Sequence, residues 1–237
     1  MKKFLHLYNS AVTFEADYNG EAYHEPWVSL TRENKEVNYN KPDPSNGHCY
    51  VDLGLPSGTL WACTNLGAEN PEDLGTRYKW AEIEPYDGER QYKYIDPNTY
   101  GFSKYCETDG KTILDLEDDA ANVEWGGGWH IPSLEQVYEL MDNTTRDTSH
   151  ITGEGYGGGY VIFISNINGN QITFPLSNGL VCWMNECGSY GQEAWTFCYG
   201  CEGSLGPRLG GDTGYRQSGH RVRGVLGDGP EREDLDV

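Results

Sequence analysis

Glycine interrupts this chain so often that long helices are not expected. The 237 residues include 31 glycines, and many of them stand in short clusters. Glycine loses more backbone entropy on folding than any other residue, and it is favoured in turns. The sequence therefore predicts short strands joined by turns and loops. With 17 Tyr and 7 Trp, the core is expected to be aromatic rather than aliphatic.

Charge and hydropathy exclude several classes of partner. The formal net charge is −20, which repels phosphate backbones and anionic membrane surfaces. No apolar run reaches the roughly 18 residues that a membrane-spanning helix needs. The apolar part of residues 1–9 is too short for a signal peptide, and no small-residue cleavage site follows it. We therefore expect no nucleic-acid partner, no membrane insertion and no signal peptide.

Composition divides the chain into three parts. Residues 1–46 form a small β-rich module and linker, in which alternation at residues 11–16 and 27–31 predicts two or three short strands. So few residues bury little surface alone, so we expect this module to anchor or oligomerise the chain. Residues 47–226 form the main domain, and residues 227–237 form an acidic, frayed tail.

The main domain is predicted to belong to the α+β class, with mixed or antiparallel strands and one clear helix near residues 133–142. Ser133 is a good N-cap for this helix, and Gln136 stands at the capping-box position. Residues 65–112 are polar, aromatic and irregular, and they are expected to be mostly loop. The predicted strands are a hairpin at residues 50–62, a second hairpin at residues 160–164 and 171–174, and a last strand at residues 220–225.

Several motifs resemble those of the Fibrobacter-type major paralogous domain, and together they span residues 49–225. They are YVDLGLPSGTLWA at 50–62, NLGA at 65–68, YKWAE at 78–82, DDAA at 118–121, WGGGWHIPS at 125–133 and HRVR at 220–223. The family is similar to C-type-lectin-like and formylglycine-generating-enzyme-like folds, and it occurs in gut-type Bacteroidetes and their phages. The resemblance therefore implies a C-type-lectin-like main domain.

Residues 125–133 are expected to be structural. Their glycines would let a strand approach the helix closely, and Trp129 would pack in the core. A phosphate-cradling loop is disfavoured because no Lys or Ser/Thr follows at the required spacing. His130 is expected to cap structure rather than to act as a base.

The seven cysteines leave several alternatives open. Their odd number and the missing signal peptide favour unpaired thiols. A four-thiolate zinc site built from Cys182, Cys187, Cys198 and Cys201 is an alternative. A Cys187–Cys198 or Cys198–Cys201 disulfide is the intermediate case.

Motifs for calcium binding and catalysis are absent from the sequence. The Glu-Pro-Asn and Trp-Asn-Asp motifs of calcium-dependent C-type lectins do not occur, and neither do HExxH, a nucleophile elbow or a Ser-His-Asp order. Cys198 and Cys201 do not match the motif around the paired-cysteine copper site of the formylglycine-generating relatives. We therefore expect no catalytic residues, no metal and no cofactor, with a calcium or a zinc site as the alternative.

The candidate ligand-binding surface lies in residues 182–219. This stretch mixes aromatic residues with Gly, Ser, Asn, Asp and Arg, as binding surfaces of antibodies do. Trp183 and Trp195 are expected to pack in the core. The predicted ligand-binding residues are Asn185, Tyr190, Thr196, Tyr199, Arg208, Asp212 and Tyr215.

The resemblance adds a hypothesis about variability in this region. In phages, domains of this fold are targets of diversity-generating retroelements, which do not produce Glu, Lys, Gln, Met or Trp at the randomised codons. Between Thr196 and Arg216, Glu202 is the one residue of those five types.

Three functions follow from these expectations. The first is a non-catalytic recognition or adhesion protein, associated with a phage virion or displayed on a surface, that binds a bacterial surface glycan or protein receptor. It would act as a homo-oligomer or with other virion proteins, in the virion or outside the cell, after assembly in the bacterial cytoplasm. The alternatives are a formylglycine-generating-type or glycan-active enzyme, and a capsid or tail decoration protein without a ligand.

Overall fold

A computed structural model describes residues 45–152, 157–177, 180–188, 192–201, 204–209 and 214–230, together with four short strands of the N-terminal module. Those strands are Phe4–Tyr8 (β1), Ala11–Glu15 (β2), Asp17–Tyr18 (β3) and Glu21–Ala22 (β4). β1 pairs with β2 and β3 pairs with β4, both antiparallel. The strand predicted at residues 11–16 is thus confirmed, whereas residues 27–31 lie outside the described part.

The main domain is of the α+β class and consists mostly of sheet, as predicted. Its helices are Ala120–Trp125 (α1) and Leu134–Asp142 (α2), with a 3-10 turn at Leu116–Asp118. Its strands are Tyr50–Asp52 (β5), Leu60–Ala62 (β6), Arg77–Tyr78 (β7), Thr144–Asp147 (β8), Ile151–Thr152 (β9), Gly158–Ser165 (β10), Gln171–Pro175 (β11), Leu180–Cys187 (β12), Ala194–Cys201 (β13), Ser204–Leu209 (β14), His220–Arg221 (β15) and Val225–Leu226 (β16).

Three sheets organise these strands. The largest has the order β14-β13-β12-β15-β7, in which β12 and β15 are parallel and the other pairs are antiparallel. A second sheet has the order β11-β10-β8, with β9 also paired to β10, and the third has the order β16-β6-β5. Both predicted hairpins are confirmed, but the predicted last strand at residues 220–225 is divided into β15 and β16.

None of the helices in the described residues is long and apolar enough to span a bilayer.

Helix α2 begins at the predicted capping box. Ser133 Oγ accepts a hydrogen bond from the Gln136 backbone N–H at 3.2 Å, and Gln136 Oε1 accepts from the Ser133 N–H at 2.9 Å. Glu139 accepts two hydrogen bonds from Ser57, from its N–H at 2.8 Å and its hydroxyl at 2.6 Å. The helix is therefore fixed at its start by its own sequence and in its middle by the turn of the first hairpin.

Aromatic side chains fill the core, as the composition predicts. The rings of Phe163, Phe174 and Phe197 pack edge-on or tilted at 5.1–5.9 Å between centroids. Trp80 and Trp183 are fully buried, and their indole N–H groups donate to backbone carbonyls of other segments at 2.8 and 2.7 Å. Burial of Trp183 is confirmed, and Trp195 is partly buried against the core.

The glycines at 126–128 have a different role from the one expected. All three have positive φ angles, +63°, +61° and +93°, and Gly126 ends α1 by donating its N–H to the Asn122 carbonyl. A Cβ on Gly126 would come no closer than 3.6 Å to a neighbour, so backbone conformation and not close approach requires glycine there. The close approach occurs instead at Gly224, where a Cβ would lie 2.7 Å from the Trp125 ring.

Cys49 and Cys63 form a disulfide, so the expectation of unpaired thiols is wrong for this pair. The bond joins the residue before β5 to the residue after β6, at the open end of the first hairpin. Cys106 and Cys187 are thiols, which excludes the suggested Cys187–Cys198 bridge. The side chain of Cys201 lies outside the described residues.

Replacing both Cys49 and Cys63 by serine should lower the free energy of unfolding by about 3 kcal/mol. The bond closes a loop of about 15 residues, and its loss restores that chain entropy to the unfolded state. Urea unfolding of the parent and of the double variant measures the difference, with Cys106→Ser as a control that keeps the bond. Equal midpoints for the parent and the double variant would show that the bond does not form.

Candidate functional site

A hollow of about 200 Å³ opens on the surface of the main domain. Its walls come from two segments that lie far apart in sequence, residues 92–102 and residues 192–217. We call it the aromatic pocket, and its lining residues are Tyr92, Ile95, Tyr100, Phe102, Gln192 and Gln217.

The first wall is a tight turn between Ile95 and Phe102, which pair as an isolated antiparallel bridge. Asp96 holds this turn because its Oδ1 accepts from the Asn98 N–H at 2.7 Å. Tyr100 has a φ of +56° and is 76% exposed. A bulky residue in the left-handed region is strained, and such strain is common where a side chain serves a function. The turn therefore presents an aromatic ring to solvent at some cost in stability.

The second wall is fixed through the backbone of Arg216. Its N–H donates to the Gln192 carbonyl at 2.8 Å, and its carbonyl accepts from the Trp80 N–H at 2.9 Å. Glu193 and Tyr215 form an isolated bridge beside it. These bonds hold the segments that carry Gln192 and Gln217 together at the pocket.

The side chain of Arg216 lies behind the pocket wall. It is 1% exposed, and its Cζ lies 5.0 Å from the ring centroid of Trp80 and 4.8 Å from that of Phe102. None of its three guanidinium nitrogens has an oxygen acceptor in the structure. Two aromatic faces attract a cation but do not satisfy its five N–H donors. This is a buried charge without an oxygen acceptor, next to an open hollow.

Two further polar groups accompany this guanidinium. The hydroxyl of Tyr92 is also buried without a hydrogen-bond partner, and burial raises its pKa while Arg216 acts in the opposite direction. Burial likewise raises the pKa of the Cys187 thiol, while the charge of Arg216 and a hydrogen bond between the two side chains act in the opposite direction. A thiol is only a weak acceptor. The region behind Tyr92 and Phe102 is therefore rich in unsatisfied donors.

The structure places the predicted ligand-binding residues in different environments. Tyr215 is 37% exposed. Asn185 is half-buried in β12, and its Oδ1 has no hydrogen-bond partner. Thr196, predicted as a ligand-binding residue, is fully buried in β13, with its hydroxyl 3.2 Å from the Cys198 sulfur.

The other predicted residues are described in part or not at all. Tyr199 in β13 and Arg208 in β14 are described in their backbone only, and Arg208 is the strand partner of Thr196. Tyr190 and Asp212 lie outside the described residues. The predicted residues are thus not brought together in one described site.

Sequence reasoning missed most of the aromatic pocket. Gln192 falls inside the predicted region, but Tyr92, Ile95, Tyr100 and Phe102 belong to a stretch that was expected to be simple loop. A signal was present there, because aromatic residues recur through an otherwise polar segment. Rings in polar loops need either a core or a ligand to contact.

Among the described side chains, one cluster of carboxylates is close enough to share a cation, formed by Asp115, Glu117 and Asp118. The Lys104 ammonium lies 2.7, 3.1 and 2.6 Å from these three groups. The protein therefore supplies the cation for this cluster itself. Lys93 adds a second ammonium at 2.9 Å from Asp118.

His130 has the surroundings of a structural residue. Its Nδ1 lies 3.0 Å from the Ile131 carbonyl and its Nε2 lies 2.9 Å from the Gly227 carbonyl. With both ring nitrogens facing backbone oxygens, neither is directed at a substrate position.

Comparison with known proteins identified no relative of this chain. No protein-family model, no curated protein and no solved structure matches the chain.

Proposed function

We propose that this chain is a non-catalytic recognition protein that binds its ligand in the aromatic pocket. The observation that carries the proposal is the lining, in which three aromatic rings, one isoleucine and two amides meet around one hollow. Rigid aromatic area combined with adaptable polar groups is typical of binding surfaces. Among the described residues, no carboxylate, imidazole or thiol lines this hollow, and these are the groups that most often perform acid–base and nucleophilic chemistry.

The size of the pocket limits what it holds. Its volume of about 200 Å³ is below the roughly 300–1,000 Å³ of sites for drug-sized molecules. It therefore takes one residue-sized group, such as a terminal sugar or a single side chain. This fits a bacterial surface glycan or protein receptor, the class of partner that the family resemblance implies.

We also propose the finer fold and location that this resemblance implies. The main domain would be C-type-lectin-like, and residues 1–46 would anchor or oligomerise the chain on a virion or a cell surface. The pairing of β16 with β6 supports a closed domain whose first hairpin and last strand adjoin. The Cys49–Cys63 disulfide supports display outside the cell, because disulfides persist in oxidising environments.

Replacing Tyr100 by glycine should weaken binding without harming the fold. Removing an aromatic anchor costs about 2 kcal/mol of binding free energy. Glycine adopts the positive φ without strain, so the free energy of unfolding should stay constant or rise by about 1 kcal/mol. A loss of binding could then not be attributed to unfolding.

The measurement is a titration of labelled protein on bacterial cells and on an array of bacterial surface polysaccharides, beside a melting curve. Tyr138→Ala is the matched control, because Tyr138 is also an exposed tyrosine but lies on α2 and does not line the pocket. The proposed function is wrong if the parent protein binds no cell and no polysaccharide. It is also wrong if Tyr100→Gly binds as well as Tyr138→Ala.

A further inference from the structure

Building on the proposed function, we propose that the aromatic pocket selects an acidic saccharide, with Arg216 as the group that recognises its charge. The ligand would be a sugar residue that carries a carboxylate, phosphate or sulfate. Its anionic group would pair with the Arg216 guanidinium, and its hydroxyls would contact Gln192, Gln217 and the Tyr92 hydroxyl.

A buried guanidinium such as that of Arg216 needs an anionic partner. A guanidinium stays protonated in proteins and offers five donors in a fork that matches carboxylate and phosphate oxygens. Burying such a charge without a partner is unfavourable. The nitrogens of Arg216 nevertheless have no oxygen acceptor among the described residues, and we assign the missing partner to an anionic group of the ligand.

Two other buried ionic side chains have all the hydrogen-bond partners that Arg216 lacks. Arg223 is fully buried, and each of its three guanidinium nitrogens donates to an oxygen. Asp118 is 1% exposed and accepts from two lysines and two tyrosines. Of these three buried ionic side chains, Arg216 alone has no oxygen or charged partner, and it alone lies beside the aromatic pocket.

Phe102 determines how a ligand reaches Arg216. Its half-buried ring lines the pocket on one side and packs against the guanidinium on the other. Because this ring is what separates the two, it must rotate before a ligand in the hollow can reach the guanidinium. Rotamer changes of partly exposed side chains are fast compared with ligand residence times, so the ring can act as a gate without slowing recognition.

The remaining lining favours a sugar over a simple anion. The rings of Tyr92, Tyr100 and Phe102 offer apolar faces for the C–H groups of a pyranose, and the two amides of Gln192 and Gln217 can donate and accept with its hydroxyls. The net charge of −20 repels anions at a distance. That repulsion disfavours polyanions and favours a single charged residue whose binding energy arises from contacts inside the pocket.

Isothermal titration of the full chain with four related sugars tests the inference. The probes are glucose, glucuronate, glucose 6-phosphate and glucose 6-sulfate at millimolar concentrations, and the three acids show which anionic group is preferred. At least one acid should bind at least about tenfold more tightly than glucose, as expected for hydrogen bonds to a charged group. Arg216→Met should remove this preference, and Arg216→Lys should retain part of it.

Two measurements separate recognition from a structural role. Arg216→Met should melt within about 2 °C of the parent protein, because no hydrogen bond to an oxygen is lost, and removal of a buried charge offsets the loss of its contacts with the Trp80 and Phe102 rings. In the unmodified parent, saturation with the preferred acidic sugar should shift the Nε–H signal of Arg216, as read by heteronuclear NMR. This second readout holds whether or not the methionine variant folds.

The outcomes distinguish the inference from the function on which it rests. Equal affinity for glucose and all three acids, an acid preference that survives in folded Arg216→Met, or an unmoved Arg216 Nε–H signal at saturation would each overturn the inference. If cells or neutral polysaccharides are still bound through Tyr100 in those cases, the proposed function stands. Absence of binding to every sugar probe overturns the inference alone, because the proposed function is tested on cells and polysaccharides.

Discussion

Replacing Arg223 by methionine should lower the free energy of unfolding by about 3–5 kcal/mol. The side chain is fully buried, and its cationic head connects the first hairpin with β11. Its four acceptors lie 2.8–2.9 Å away and are Asn65 Oδ1 and the backbone carbonyls of Ala62, Cys63 and Thr173. Methionine fills part of the volume but donates to none of the four oxygens, and the loss of a donor to a buried acceptor carries a desolvation penalty.

Denaturant unfolding of Arg223→Met, followed by tryptophan fluorescence, measures this effect. Arg216→Met is the matched control, because it makes the same substitution at a buried arginine that has no oxygen acceptor. Burial lowers the pKa of Arg223 to about 10, so the side chain remains charged at neutral pH. Similar stability for both variants would mean that hydrogen-bond satisfaction does not distinguish the two arginines.

Replacing Asp118 by asparagine should cost about 3–5 kcal/mol of stability. The carboxylate accepts four hydrogen bonds, from the ammonium groups of Lys93 and Lys104 at 2.9 and 2.6 Å and from the hydroxyls of Tyr94 and Tyr105 at 2.5 and 2.7 Å. An amide has no charge to offset two ammonium groups. It also presents one acceptor oxygen in place of two.

Asp118 should also make stability depend on pH under acidic conditions. Burial alone would raise its pKa, but hydrogen bonds from Lys104, Tyr94, Lys93 and Tyr105 lower the pKa to about 2. Because the folded value lies below the ordinary one, this stabilisation is present above about pH 4 and is lost as the pH falls towards about 2. Ionisation of Asp118 therefore contributes about 2 kcal/mol to the free energy of unfolding above about pH 4.

Unfolding free energies measured across this acidic range, for the parent protein and for Asp118→Asn, isolate the contribution of the carboxylate. The variant should show a flatter dependence on pH. Glu117→Gln is the control, because Glu117 contacts the same Lys104 but its side chain is 78% exposed, and exposed ion pairs contribute about 1 kcal/mol or less. Parallel curves for the parent protein and Asp118→Asn would contradict this account of the cluster.

The sequence predicts those elements whose signals are local. The capping box of Ser133 and Gln136 fixes where α2 begins, and the Asn-Gly turn at residues 168–169 fixes the hairpin of β10 and β11. Helix α1 was missed because it has only six residues, although Asp119 caps it by accepting from the Ala121 and Asn122 N–H groups. In fewer than two helical turns, the spacing of apolar residues does not distinguish a helix from other structures.

Interactions between distant segments explain the remaining differences. The last predicted strand is interrupted because Arg223 turns inward to acceptors in other segments, which separates β15 from β16. Thr196 resembles a surface residue by type, yet β13 lies inside the five-stranded sheet between β12 and β14, and its side chain is buried. Neither outcome has a signature in the neighbouring sequence.

The candidate site depends on such distant contacts most of all. Tyr100 and Gln217 are separated by more than a hundred positions, and only the folded chain shows that they line one hollow. Arg216 and Arg223 are equally inconspicuous in sequence. Their difference appears only when the acceptors around each guanidinium are identified.

A heteronuclear NMR titration of the full chain with the preferred acidic sugar tests the central claim most directly. The signals to observe are the side-chain amides of Gln192 and Gln217 and the Nε–H of Arg216, the last assigned with Arg216→Lys. We predict that all three shift together and saturate at one dissociation constant, while the backbone signal of Tyr138 on α2 stays in place. If the sugar binds and these three signals do not move, the ligand site lies elsewhere and the account is contradicted.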